Sequence, residues 1–318
     1  MYADDTTLNL IGDDLDLLVK KANQLLEGTV EWCFANKMTL HPKKTKWMIF
    51  SHSNTKEKLI LQGTEIERIM DNSSFKLVGV HIDPKLTWKS HISHIRAKIG
   101  QAMSLIIRSK NTLTKKIKIL LYKALIQSQL EYCLPVWGNA LESHIEPLNV
   151  MQRKAIRIVT EANYNSHTEP LFHQIKALTI KDLYMLRCAR IGLKITKNRA
   201  NDSLMSCFRV ANNEISSTRS ENGIGKKLYV PLPRIGLTKR LPQFQIPAVW
   251  NALPDKYKQF GLIALMQDFK EDKITGYGEF LCTKKKCYPC RCKKCYSFPC
   301  KCMSTNLTSL PVPSPDRQ

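Results

Sequence analysis

The sequence predicts an α+β chain: short strands and one long helix over residues 1–84, a helical region over 85–198, and a basic, cysteine-rich segment near the end. Three observations carry this. Brief β-prone runs in the first 84 residues are punctuated by Gly, Pro, Asp and Asn. Apolar residues then recur at three- and four-residue steps over 85–109, 115–134, 145–160 and 179–197. Seven of the eleven cysteines crowd into 282–302.

Taken in order, Met1-Tyr2-Ala3-Asp4-Asp5 leads into the roughly alternating run 6–11, which ends at Gly12. This spacing predicts a hairpin with Tyr2-Ala3-Asp4-Asp5 as its turn and 6–11 as its second strand, because Asp tolerates turn geometry. Two acidic side chains on a turn offer oxygen ligands to a hard cation such as Mg²⁺. Two such ions about 3.5–4 Å apart can activate an attacking hydroxyl and stabilise a leaving oxygen. Residues 13–36 form an amphipathic helix in this reading, with Leu15, Leu18, Ala22, Leu25, Leu26, Val30 and Cys33 on its apolar side and Asp13, Asp14 and Asp16 at its start. A turn at His41-Pro42 feeds a strand over 46–50, a hairpin is centred on Gln62-Gly63 within 59–69, and 75–83 is a single strand.

The first helix of the second region is expected from Lys85 to about Ser109. His91 and His94 lie on it at a zinc-compatible spacing, but Ile92, Ile95 and Ile99 define a core face there, so both histidines are read as structural. The second helix, 115–134, is ended by Pro135-Val136-Trp137-Gly138. The third, 145–160, carries Arg153, Lys154 and Arg157 at contact spacing, and the fourth, 179–197, carries Lys181, Arg187, Arg190 and Lys194. Residues 198–242 read as a linker with a flexible loop over 216–227. A packing run over 246–254, anchored by Trp250, and a helix over 262–273 follow, and 303–318 is polar and Pro-rich, the composition of a disordered tail.

Lys and Arg number 49 against 27 Asp and Glu, a formal charge of +22. An excess of this size points to a polyanionic partner, most simply nucleic acid. Neither a signal peptide nor an apolar run of the ~18 residues needed for a membrane span is visible. The best candidate, 117–130, is interrupted by Lys118, Lys123 and Gln127. The expected setting is intracellular and away from membranes, where cysteines serve as thiols or metal ligands. The pairs Cys287/Cys290 and Cys292/Cys295 have zinc-knuckle spacing and make Zn²⁺ a candidate cofactor. Lys284, Lys285, Lys286, Arg291, Lys293 and Lys294 interleave with Tyr288, Tyr296 and Phe298, a composition suited to unpaired bases. A basic arm whose cysteines have no common role fits the same residues.

Tyr-x-Asp-Asp before a strand resembles the active-site hairpin of reverse transcriptases. In residues 38–50, Lys44 and Thr45 match the Lys-Thr pair of that family's Asn-x-x-Lys-Thr-x-x-Met-x-Phe segment, with His41 where Asn is usual. The ungapped run Leu77-Val-Gly-Val-His-Ile-Asp-Pro-Lys-Leu-Thr-Trp-Lys-Ser-His-Ile92 resembles the palm-to-thumb join of non-LTR retrotransposon polymerases. Ala248-Val-Trp-Asn-Ala-Leu-Pro254 resembles the far C-terminal part of the jockey type. The resemblance covers about 1–260 in patches.

It implies templated DNA synthesis on an RNA template from a DNA primer. Asp4 and Asp5 would ligate Mg²⁺, Tyr2 and Ala3 would lie beside the primer terminus and nucleotide, and Lys44 would stand near the triphosphate. It also implies a further metal-binding aspartate and the fingers upstream of the hairpin, so the chain is expected to be the C-terminal part of a larger, nuclear polymerase and inactive by itself. The implied organisation is palm over 1–84, thumb over 85–198, linker and small helical region over 199–280, cysteine-rich segment over 281–302, and tail over 303–318. The rival expectation is a non-catalytic, basic nucleic-acid-binding protein derived from a retroelement.

Overall fold

The structure, a computed structural model, describes residues 5–50, 55–109, 111–211, 227–232, 238–254 and 257–258. Two compact units divide at Ile95/Arg96. The described residues mix helix with three short two-stranded ladders, compatible with an α+β class.

In the first unit, α1 (Leu15–Ala35) starts where the Asp14 carboxylate accepts the backbone N–H groups of Asp16 and Leu17 at 2.9 and 3.1 Å. That satisfies two donors the first turn leaves open. Val19, Leu26 and Cys33, spaced by seven, are its buried line. Val19 and Leu26 form one core with Leu59, Leu61 and Ile66, flanked by Ala22, Val30, Leu40 and Trp47. Asn23 fixes the helix to the neighbouring chain: its amide donates to Lys58 O and accepts from Ile60 N.

The strands differ from those expected. Residues 6–11 form no strand. Ile11 is 99% exposed and Leu8 half-exposed, so no apolar surface holds the alternating pattern in a sheet. The expected strand 46–50 shortens to β1 (Lys46–Trp47). The hairpin at Gln62-Gly63 is present as β2 (Ile60–Leu61) and β3 (Thr64–Glu65). Next comes β4 (Glu67–Arg68), and it pairs with β1 in parallel. Lys46–Glu67 at 2.9 Å and the Arg68 guanidinium over the Trp47 ring reinforce that ladder.

The expected single strand 75–83 is a hairpin, β5 (Phe75–Leu77) with β6 (Val80–Ile82). Val78 and Gly79 both have positive φ, as a two-residue turn matching strand twist requires. The helix expected from Lys85 begins four residues later, as α2 (Lys89–Arg108). Asp83 explains the delay. Its buried carboxylate accepts Thr87 N and Trp88 N at 2.9 Å each and holds Leu86 and Trp88 at positive φ. A turn so pinned cannot also be helix.

In the second unit, the expected helix 115–134 runs without a gap over Lys115–Glu131, as α3 (Lys115–Leu121), a π-helical turn (Tyr122–Gln127) and α4 (Ser128–Glu131). Pro135 does not end it. The chain turns at Cys133, at φ 48°, and Pro135 lies in the first turn of α5 (Leu134–Trp137), where a missing N–H costs nothing. Then follow α6 (Glu142–Thr160), α7 (Glu169–Gln174), α8 (Ile180–Thr196), α9 (Asp202–Met205) and α10 (Pro242–Ala252).

Helix α8 is the centre of this unit, with residues such as Leu183, Met185, Cys188, Leu193 and Ile195 buried around its circumference. Trp250 of α10 packs on Gly192, where a Cβ would lie 2.8 Å from the indole. Gly138, after α5, meets Tyr184 and Leu134 O just as closely, so both contacts require glycine. Gln152 joins three segments through its amide, donating to the Tyr122 hydroxyl and Leu178 O at 3.0 Å and accepting Ile180 N at 3.2 Å. Burial pushes the Tyr122 hydroxyl pKa well above its ordinary range, so it remains a neutral partner.

Candidate nucleic-acid interface

Of the acidic pair, Asp5 is described and exposed; Tyr2, Ala3 and Asp4 lie outside the described residues. An exposed carboxylate is hydrated and open to a cation, and adjacent carboxylates suit Mg²⁺, which takes one or two protein oxygens and completes its shell with water and phosphate. Lys44 is exposed in a turn closed by the bonds of Lys44 N and Thr45 N to His41 O, both 3.0 Å. His41 thus caps the turn through its backbone. No hydrogen bond or ion pair joins Lys44 to Asp5 among the described residues.

The basic helix faces are less uniform than their spacing suggests. On α6, Arg153 donates to Glu146 Oε1 at 2.7 Å and Arg157 Nε to Ser166 O at 3.0 Å. Both are half-buried and brace the helix, while Lys154 faces solvent. Lys118 of α3 is 1% exposed and donates to Glu161 at 2.6 Å, and Arg187 of α8 pairs with Glu131. These cations are internal partners, with their charge matched. The positive charge offered to solvent in this unit comes from side chains such as Arg96, Lys98, Arg108, Lys116, Lys123 and Lys154. Repeated exposed cations contact phosphates without reading bases.

Sequence reading missed the Lys118–Glu161 pair and the Gln152 node. Gln152 had a signal: it sits in the apolar line of Leu148, Ala155, Ile156 and Val159, where a polar side chain must find partners. His91, 2% exposed, accepts His81 N at 3.3 Å through Nδ1, and the His81 and His94 rings lie 4.8 Å apart. No group of three or more metal-ligating side chains occurs among the described residues. The helix expected over 262–273, the cysteines Cys287, Cys290, Cys292 and Cys295, and the cations Lys284, Lys285, Lys286, Arg291, Lys293 and Lys294 lie outside the described residues, as does the loop over 216–227 apart from Lys227. No described helix is long and apolar enough to cross a membrane.

Two of the motifs have a physical role. In 77–92, the Val78-Gly79 turn, the Asp83 clasp and buried Trp88 shape the entry to α2. In 248–254, Trp250 fills the space over Gly192. Asn251 grips Leu228 from both sides, accepting its N–H at 2.9 Å and donating to its carbonyl at 2.7 Å.

No family model matches the chain, and no solved structure matches it. Three relatives do. The chain is 25% identical over 186 residues to the RNA-directed DNA polymerase from mobile element jockey of Drosophila melanogaster, covering 57% of this chain and 20% of the relative. It is 24% identical over 127 residues to the probable RNA-directed DNA polymerase from transposon X-element of the same fly, covering 39% and 14%. It is 21% identical over 205 residues to the probable RNA-directed DNA polymerase from transposon BS, also of that fly, covering 63% and 22%. The chain thus spans between about a seventh and about a fifth of the length of these relatives. By these matches, the chain is similar in sequence to part of the RNA-directed DNA polymerases of the jockey, X-element and BS mobile elements.

Proposed function

We propose that this chain works as the C-terminal part of an RNA-directed DNA polymerase of a non-LTR retrotransposon, joining deoxynucleotides to a primer by two-metal phosphoryl transfer. The observation that carries the reading is the similarity to three mobile-element polymerases. The +22 charge supports it, because template and primer are polyanions. Asp4 and Asp5 would hold Mg²⁺, which when bound would supply the cationic charge that stabilises the attacking and leaving oxygens. Tyr2 and Ala3 abut the primer terminus. Lys44 donates a proton toward the departing pyrophosphate, a role its exposed ammonium suits. Residues 1–84 serve as the end of the palm and the helices over 85–198 as a thumb along the duplex. Zn²⁺ on Cys287, Cys290, Cys292 and Cys295 is the second cofactor, and the polymerase works in the nucleus.

Primer extension tests this reading. The 318-residue chain alone is expected to extend no primer with Mg²⁺ or Mn²⁺, because a single acidic turn supplies too few ligands to position two cations and a nucleotide. Joined behind the upstream portion of the jockey polymerase, it is expected to support templated synthesis. Synthesis by the chain alone, or none by the joined protein while it still binds primer–template, contradicts the proposal.

A further inference from the structure

We propose that Tyr164, at the tip of the turn between α6 and α7, is a stacking platform for an unpaired base of the bound nucleic acid. This rests on the polymerase reading above and deepens it, by adding a base contact to the phosphate contacts of the helices. Helix α6 ends at Thr160, and Glu161 takes positive φ there. Ala162 N donates back to Arg157 O at 3.0 Å and closes the helix end. Ser166 N then donates to Asn163 O at 3.0 Å, so Tyr164 and Asn165 are the two central residues of a β-turn, with Asn163 in a first position that suits it. The far side of this turn is fixed as well, because Arg157 Nε donates to Ser166 O at 3.0 Å. Arg157 thus holds the loop at both ends, by its carbonyl and by its guanidinium.

The ring on this turn adds little to the fold. Tyr164 is 81% exposed, against 52% for Tyr229 and 45% for Tyr132 in the same unit. A lone exposed aromatic on a loose loop is ordinary. Here a half-buried arginine is used to fix the backbone that carries it. A ring whose backbone is already fixed gives up little further freedom when a planar partner lies on it, so more of the contact energy remains as affinity.

Charge identifies the partner. Over residues 150–169 the acids are Glu161 and Glu169, and the cations are Arg153, Lys154 and Arg157. Glu161 is held by Lys118 at 2.6 Å. Glu169 stands in the first turn of α7, where the helix dipole favours a carboxylate. Lys154, one helical turn before Arg157, faces solvent. The Lys118–Glu161 pair also brings α3, with exposed Lys116, to this end of α6. Single strands are held by cations that track the backbone together with aromatic rings that take bases, and such stacking tolerates any sequence because every base has a π-face. A protein partner would call for a wider apolar surface, whereas Asn163, Asn165 and His167 beside the ring are polar and exposed.

The test uses the full 318-residue chain and two probes with the same number of phosphates. One is a single-stranded RNA carrying a fluorescent base analogue whose emission is quenched by stacking, and the other is a blunt RNA–DNA duplex. Tyr164→Ala is expected to weaken the single strand about tenfold and to abolish the quenching that binding produces. Duplex affinity, the slope of log affinity against log salt and the urea midpoint should stay as they are, because no cation and no buried contact is lost. Tyr164→Phe and Tyr164→Trp should keep both affinity and quenching, since each retains a flat ring. Unchanged single-strand affinity and quenching in Tyr164→Ala overturn the proposal and leave the ring to a protein contact. An equal loss on both probes, a lowered urea midpoint, or a Tyr164→Phe chain as weak as Tyr164→Ala overturns stacking too. The polymerase reading is decided separately, by primer extension in the joined protein, so the failure of one is distinguishable from the failure of the other.

Discussion

Asp4→Ala, placed in a polymerase that carries this chain behind an upstream catalytic portion, is expected to lower templated primer extension by about a thousandfold, on the order of 4 kcal/mol of transition-state stabilisation. The physical reason is local. A methyl group cannot ligate Mg²⁺, and without the cation at that position the charge developing on the reacting oxygens is unmatched. Asp5→Ala is expected to cost less, since the resemblance to the reverse-transcriptase hairpin assigns the cation first to Asp4. Primer–template affinity should change little in either variant, because removing a carboxylate takes away no cation that could meet a phosphate. Single-turnover extension rates measured beside equilibrium binding separate the two effects. Undiminished extension by the Asp4→Ala protein would exclude the acidic turn from the chemistry.

Trp250→Ala is expected to destabilise the second unit by about 3–5 kcal/mol. That is a large share of the roughly 5–15 kcal/mol by which a domain is held folded. Trp250 is 1% exposed, and its ring lies on the glycine of α8 that no larger residue could replace without moving it. Removing it opens a cavity between α8 and α10. It also loosens the grip of the adjacent Asn251 on Leu228. Trp250→Phe should recover part of the loss by refilling the space. The urea midpoint of the chain reads the effect, and an unchanged midpoint in Trp250→Ala would show that α10 does not anchor this unit.

The long helices were legible because apolar residues recur along them at helical steps. In α1 the expected line finds Leu26 and Cys33 but misses buried Val19 and includes half-exposed Leu25, and α8 is buried around its circumference; the start is marked by an acceptor side chain in both, Asp14 and Thr179. The strands were less so. In 75–83 the β-branched residues predict extended chain correctly, but a turn formed by Val78 with Gly79 is concealed, since Val rarely takes positive φ. The parallel pairing of β1 with β4 depends on contacts between segments twenty residues apart, which local pattern does not encode. The π-helical turn in 122–127 has no local signature either: its residues repeat as any helix would, and burial of Tyr122 against Gln152 accompanies the wider turn.

At the candidate interface, sequence counts charges and cannot assign them. Lys118, Arg153 and Arg187 look like a solvent face until the fold brings Glu161, Glu146 and Glu131 to them. Lys154, between Arg153 and Arg157 in sequence, is the one of the three exposed to solvent, because it points away from the packed side of α6.

The central claim is that this chain's positive excess is directed at the phosphates of a polymerase's template and primer. It is tested most directly by titrating the 318-residue chain with an RNA–DNA primer–template from low to moderate salt. Each neutralised phosphate contributes about −0.9 to the slope of log affinity against log salt. The account predicts a steep linear slope, little dependence on base sequence, and a slope shallower by about one in Lys154→Ala. A flat dependence on salt, or binding of equal strength to an uncharged analogue of the duplex, would contradict it.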